Sequence, residues 1–304
     1  MPIRASLELF LRWSPVQVAF MLHAVRRLTV LAYHGIDDPT CFRHQLVYLA
    51  RTMRPVSLDD VLTAMYGGRS LPAGAVLLTF DDGHRSLFEA ALPLLRERGF
   101  PAVAFIVPGV LDTDQPFWWT ETEQLMVQGG RSERLPGLTP AAMVSRLKRL
   151  PDAERLEVIA ELRETASGPP PRTPQLRRAE LPMLESAGIT VGNHSATHPC
   201  LPNCDDDKAV AEVTEAHRLL NDALGRAPAT FAYPNGDWDQ RAERALADAG
   251  YETAFLFDHR ANPPTPRHPL RISRLRVNST TSLGRFAMIV SGLHPALHRA
   301  RGRS

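Results

Sequence analysis

Cysteine is scarce in this chain, with only Cys41, Cys200 and Cys204 in 304 residues. Three thiols cannot build a disulfide framework, and so low a number suits a reducing compartment. Cys200 and Cys204 are close enough to raise the idea of a thiolate zinc site, but there is no second such pair to complete it. Net charge is nearly absent too. Thirty-five Lys plus Arg against 33 Asp plus Glu leave +2, so no overall field draws the chain to nucleic acid or an anionic membrane. Long apolar runs are missing: Arg4, Glu8, Arg12 and His23 interrupt the apolar residues between Leu7 and Leu22, and nothing approaches the roughly 20 residues that cross a bilayer. No small-residue cleavage site follows, so residues 1–27 read as an amphipathic lead-in helix. The expected location is cytoplasmic, with peripheral membrane contact the lesser alternative. There is no GxGxxG or P-loop cradle, which argues against dinucleotide or ATP chemistry, and no internal repeat.

What is present is alternation. Leu28–Tyr33, Ala75–Phe80, Pro101–Val107, Ile189–Gly192, Ala229–Tyr233, Glu252–Phe257 and Arg271–Val277 read as seven strands, several of them apolar enough to be buried on both faces. Helical spacing fills the gaps: Phe42, Leu46 and Leu49; a capped helix opening at Ser57; and Leu87 to Arg98, closed by Gly99, with Pro93 predicting a kink. Further helices are expected over Val210–Leu220, Asp239–Ala249 and Leu283–Val290. Residues 108–187 break the rhythm as a helical insertion. There Gln115–Trp119 reads as a loop, helices open at Thr139-Pro140 and Pro151-Asp152, Gly168–Pro171 is a stiff connector, and a helix runs from about Gln175 to Ala187. Residues 295–304 read as a frayed basic tail. The alternation predicts an α/β fold whose parallel sheet, open or closed into a barrel, spans 28–294.

In such a fold the working residues gather at the carboxyl ends of strands. Thr79-Phe80-Asp81-Asp82-Gly83 closes one strand there. Adjacent carboxylates repel unless a cation, hydrogen bonds or a proton intervenes, although Asp-Asp-Gly is by itself an ordinary turn composition. His194 and His198 follow another strand, and their spacing brings two imidazoles to one face if that turn is helical. With one carboxylate they make a His₂Asp set, which leaves positions open for water and substrate, the pattern of a catalytic metal. Tyr233-Pro234-Asn235-Gly236-Asp237-Trp238 follows a third strand and supplies groups that could hold a substrate.

Thr79–Gly83, His194-Ser195-Ala196-Thr197-His198-Pro199 and Phe231–Gly236 resemble, in order and spacing, the motifs of the polysaccharide deacetylases, carbohydrate esterase family 4 with the NodB-homology domain. The likeness extends to Leu31–Gly35, Ala91–Leu95 and Arg271–Leu275, covering roughly residues 28 to 280. It implies a distorted (β/α)7 barrel and a metal-dependent hydrolase that removes an acetyl group from the nitrogen of a sugar-type substrate. A divalent ion, zinc for preference, would be held by Asp82, His194 and His198, with Asp81 as general base toward a water on that ion. Tyr233, Asn235 and Trp238 would contact substrate. The family arginine that orients the base is replaced by Ala232. Arg274 is the first candidate for its role, Arg271 the second, and His268 and His294 are candidates for the general acid. Two alternatives accompany this reading: a deacylase of a small acylated metabolite or lipid-linked sugar, and a barrel that binds carbohydrate without turning it over.

Overall fold

Ala75–Phe80 forms strand β3, and all six of its residues are buried, which is why the run carries no polar alternation before its end. In the computed structural model, which describes residues 14–300, β3 belongs to an eight-stranded sheet. The others are β1 (Thr29–Tyr33), β2 (Arg54–Pro55), β4 (Ala102–Ile106), β5 (Ile189–Asn193), β6 (Thr230–Ala232), β7 (Thr253–Phe255) and β8 (Leu275–Arg276). The order is β7-β6-β5-β4-β3-β1-β8, every pairing is parallel, and β2 lies beside the start of β3. All seven expected strands are found; β2, which no apolar run announces, is the addition. Ile272 bridges Phe255, and Leu275–Arg276 pair with Leu31–Ala32, so one short stretch touches both margins of the sheet. The sheet curls in this way into a distorted (β/α)7-type barrel.

Twelve helices accompany the strands among the described residues: α1 (Pro15–Ala24), α2 (Pro39–Thr52), α3 (Leu58–Tyr66), α4 (Leu92–Arg98), α5 (Trp118–Val127), α6 (Pro140–Leu147), α7 (Asp152–Thr165), α8 (Leu181–Ser186), α9 (Asp206–Leu224), α10 (Gln240–Asp248), α11 (Leu283–Val290) and α12 (Leu293–Ala300). Strand alternation sorts the core into two layers. Val76, Leu78 and Phe80 join Leu31, Tyr33 and Ile106 in an outer layer, packed against Phe42 and Leu46 of α2, Leu95 of α4 and Phe286 of α11. Ala75, Leu77, Val30, Val103, Phe105, Phe255 and Ile272 face the other way. Phe105 and Phe255 come from strands that are not neighbours, yet their ring centroids are 5.4 Å apart, so this second set fills the barrel interior. The same parity aims Asp81, Arg274 and His194 inward, each at the end of its row. Gly192 lies two residues before His194 on that face, where a Cβ would come within 2.9 Å of Phe105 and Thr230.

Local chemistry changes several expected elements. Pro93 produces a π-turn, Leu87–Ala91, ahead of α4, because its ring and missing N–H do not fit a continuous helix. The helix expected from Gln175 shrinks to a 3-10 turn, Arg178–Glu180, and α8, whose first turn holds Pro182. Trp118, expected in a loop, begins α5. The lead-in is not amphipathic where described. Gln17 of α1 is buried, its amide donating to the Ala287 carbonyl and accepting from Ser291, while Val16, Val18 and Leu22 are exposed. Two hydrogen bonds, with Met21 packed against the core beside them, attach α1 to α11. Residues 1–13 of the expected lead-in lie outside the described residues. Residues 295–300 continue α12 instead of fraying, and 301–304 are again outside. Helices α5 to α7 carry their own apolar cluster around Leu125, Leu147, Ile159 and Leu162. No helix among the described residues is long and apolar enough to cross a membrane.

Candidate metal centre and active site

Asp81 receives two parallel hydrogen bonds from Arg274, Nη1 to Oδ1 at 2.5 Å and Nη2 to Oδ2 at 2.8 Å. Arg274 is itself fixed, donating from Nη1 to Thr79 Oγ1 at 3.0 Å and from Nε to the Leu256 carbonyl at 2.7 Å. The guanidinium is wholly buried between the rings of Phe105 and Phe257. Such a fork holds a carboxylate in both position and plane. Burial alone would raise Asp81, but the facing guanidinium outweighs it and holds the carboxyl below the usual carboxylate range.

Asp82 turns the other way, because its φ of 70° departs from the strand. Its Oδ1 lies 3.4 Å from Nε2 of His194 and 3.4 Å from Nε2 of His198. Its Oδ2 is 3.3 Å from Nε2 of His84. The turn after β5 is not the helical one that the histidine spacing suggested. Ser195 and His198 both have positive φ, and these two left-handed residues turn the imidazoles together, to 4.7 Å between ring centroids. Hydrogen bonds hold the loop: His198 N–H donates to Ser195 Oγ, Thr197 N–H and hydroxyl donate to Glu212, and Trp118 Nε1 donates to the His198 carbonyl. His194 Nδ1 is 2.7 Å from the Ala232 carbonyl, to which it donates, so its Nε2 lone pair faces Asp82. Burial, then His194, push His198 down to about 3.

These residues fit a metal ion. Asp82 Oδ1 is buried with no hydrogen-bond partner, although it faces two ring nitrogens, and such an atom calls for a cation or a proton. Asp82, His194 and His198 are also the one group among the described residues whose donor atoms converge closely enough for a shared ion. Tetrahedral bonds of about 2.0–2.1 Å place neighbouring donors roughly 3.4 Å apart, the spacing found on both sides of Oδ1. The cysteines offer no rival: burial raises Cys200 to about 11 and Cys204 to about 12, leaving both as thiols.

Residues 68–254, more than half of the chain, match the family model of polysaccharide deacetylases. The chain belongs to the polysaccharide deacetylase family. A curated relative, the poly-beta-1,6-N-acetyl-D-glucosamine N-deacetylase of Escherichia coli K12, is 32% identical over 95 residues, which cover 27% of this chain and 14% of that relative. The match thus spans a small part of the relative's length. IcaB from Ammonifex degensii superimposes with a TM-score of 0.62 at 18% identity, over 88% of this chain and 96% of that one. The deacetylase domain of BpsB from Bordetella bronchiseptica gives 0.56 at 17%, over 84% and 97%. At these identities the structures share a fold.

As in other strand-end sites of parallel barrels, the cleft of this polysaccharide deacetylase family member opens above the carboxyl ends of the strands. It is a cavity of about 310 Å³ that contains Asp81, Asp82, His194, His198 and Asn235. Several expected residues lie elsewhere. Tyr233 points into the apolar layer under α10 and does not line the cleft, because strand parity sends it opposite to Ala232. Trp238 sits on an adjoining depression, its ring under Arg271, and Arg271 pairs with Glu243; this removes Arg271 as the orienting arginine. His268 is exposed before a 3-10 turn, and His294 lines a different cavity, so neither is placed as a general acid. In their stead the cleft holds His34, Trp119, Lys148, Asp237 and Arg276. His34 stood in a quoted motif and could have been found there. Trp119 and Lys148 come from the insertion, whose fold over the cleft no local pattern announces.

Proposed function

We propose that this chain is a metal-dependent hydrolase that removes the acetyl group from the nitrogen of an amino-sugar unit. Its substrate class is a polysaccharide of N-acetylglucosamine, as the name of its E. coli relative has it. The observation that carries the reading is the unpartnered Asp82 Oδ1, facing two imidazoles beside a carboxylate clamped by arginine. Asp82, His194 and His198 would hold the ion, and two imidazoles with one carboxylate suit zinc. Once bound, that ion supplies Lewis-acid chemistry, polarising the amide carbonyl and acidifying water. Asp81, kept ionised by Arg274, takes a proton from the attacking water. The Ala232 carbonyl keeps His194 in the tautomer whose Nε2 would be free to hold an ion. His34, the remaining imidazole of the cleft, is placed to return a proton to the departing amine, and Trp119 and Asn235 border the sugar.

Asp81→Asn is expected to lower kcat/KM by about 10²–10⁴ while leaving bound metal, read by elemental analysis, at the parent level. Stripping the metal should abolish acetate release and zinc should restore it. Activity that survives either treatment overturns the mechanism. The small cleft, narrowed by Trp119 and Lys148, favours a second reading in which the substrate is a single acylated sugar. Acetate release from oligomers against the monosaccharide separates the two.

A further inference from the structure

A second cavity adjoins the cleft. It is a space of about 730 Å³ bounded by the segment after β7, by the loop that follows β8, and by α11 and α12. Arg276 lines both spaces. Four guanidiniums, Arg260, Arg276, Arg285 and Arg299, surround the cavity together with three imidazoles, and the only carboxylate among its lining residues is Asp258. The imidazoles of His259, His294 and His298 form a triangle with ring centroids 5.2, 5.7 and 6.0 Å apart. Nε2 of His259 is 3.0 Å from Nδ1 of His294, and Arg285 reaches the other nitrogen of His294 at 3.3 Å. Arg43, Arg85, Arg163, Arg218, Arg241 and Arg274 sit on carboxylates, and within the cavity Arg260 lies 3.9 Å from Asp258. Among the described residues Arg276, Arg285 and Arg299 form no salt bridge.

Arg276 also donates to the Phe257 carbonyl, yet with one carboxylate facing four guanidiniums the cavity keeps an excess of positive charge in a concave space, which favours binding an anion, and guanidinium forks match phosphate oxygens. A metal ion fits poorly, since the nitrogens of His259 and His294 are engaged with each other, with the Arg276 N–H and with Arg285, and the donor atoms here do not converge as a metal site would. The lining also carries polar groups other than the cations. Asp258 Oδ1 is buried without a partner, while its Oδ2 accepts from Ser273. Asn278, Thr280 and Thr281 of the same lining offer polar partners to a ligand that also brings hydroxyls.

We propose that this cavity is a binding site for a phosphate ester that carries hydroxyl groups. A soluble sugar phosphate and a glycerol-phosphate lipid headgroup share that chemistry. The site stands apart from the deacetylation reading. If both hold, the Arg276 shared by the two cavities would let a phosphate-bearing sugar extend from one into the other.

The test uses the full chain loaded with zinc, with glycerol phosphate and inorganic phosphate as probes in titration calorimetry. Saturable binding of glycerol phosphate is expected, tighter than that of inorganic phosphate and weakened by added salt. Replacing Arg285→Ala and Arg299→Ala together, both exposed, should weaken it about tenfold or more. Arg285→Lys with Arg299→Lys should recover part of that affinity. Since the metal ligands are untouched, phosphate resting on zinc would bind parent and variant alike, and that result overturns the proposal, as does no saturable binding. Co-sedimentation with phosphatidylglycerol vesicles distinguishes the sources. Binding that glycerol phosphate competes away marks a headgroup, whereas its absence beside calorimetric binding marks a soluble ester. Loss of deacetylase activity in the parent would affect none of these readings.

Discussion

In the cleft the groups that would hold an ion, and Asp81 beside them, are buried at or just after strand ends, whereas the arginines of the neighbouring cavity remain exposed. Asp81, Asp82, His194 and His198 are each at most 5% exposed. Their hydrogen bonds run to Arg274, to the Ala232 carbonyl and to Ser195, so their geometry is set before any ligand arrives. Across Arg276, exposed Arg285 and Arg299 have water as an alternative partner. Bond-breaking requires atoms fixed to fractions of an ångström, while capture of an anion tolerates mobile, screened charges. Substitutions should therefore be costly in the cleft and mild in the cavity.

The largest effect on this side of the comparison is expected at Arg274. Arg274→Met leaves Asp81 buried and unpaired, and breaking such a pair costs about 3–5 kcal/mol of stability. Because the carboxyl is held below its usual range in the fold, the pair stabilises at pH above the unfolded carboxylate value. That contribution is lost as pH falls through the folded one. The variant should lose this acid sensitivity, and Asp81, freed of the guanidinium, should titrate higher. The acid limb of the kcat–pH profile then moves up, with kcat about 10–100-fold lower. Arg274→Lys keeps charge without the fork and should recover part of kcat. An unmoved acid limb in the methionine variant would remove Arg274 from its positioning role.

Between the extremes lies Trp119, which the insertion carries to the cleft. Its ring stacks on Phe117 at 4.8 Å and lies 4.6 Å from the His198 ring, so it is rigid but touches no reacting atom. Trp119→Ala should raise KM by about 3–10-fold and change kcat less. Equal losses in both would mean that it supports His198 instead of the sugar.

The same contrast explains what the amino-acid sequence discloses. Apolar runs of five or six residues mark β1, β3 and β4 because both faces of the sheet are buried there, and two-residue parity then places Asp81 and Arg274 on one interior surface. Arg274 could be nominated for the role vacant at Ala232 because it stands in the quoted stretch Arg271–Leu275, although its contact with Asp81 spans 193 positions. The approach of His194 and His198 was legible as spacing, but not as two left-handed residues. What stayed hidden depends on contacts distant in sequence. Lys148 and Trp119 reach the cleft only through the packing of α5 to α7. Tyr233 looks like a site residue until parity turns it into the core. His294 is drawn to His259 across 35 positions by α12, which composition presented as a frayed tail.

The smallest effect is expected at His259, in the cavity, and it tests whether positive charge there is felt at all. Burial, then His294, Arg276, His298 and Arg285, lower its pKa to about 4. Its Nδ1 accepts from the Arg276 N–H and its Nε2 faces His294, so a second proton would point at a donor. In the unfolded chain a histidine takes up its proton near about 6.5. Between that pH and about 4 the unfolded state binds the proton and the fold does not, so acidification should erode stability across this window. His259 has a φ of 56°, a backbone state that asparagine tolerates. His259→Asn should therefore fold, be slightly less stable at pH 8 for want of the His294 contact, and lose part of the fall in Tm on acidification to pH 5. Circular dichroism melts at the two pH values read this directly. Parallel Tm–pH lines for parent and variant would show that the arginines around His259 are too well screened to set its charge, and would weaken the case that they concentrate a field for an anion.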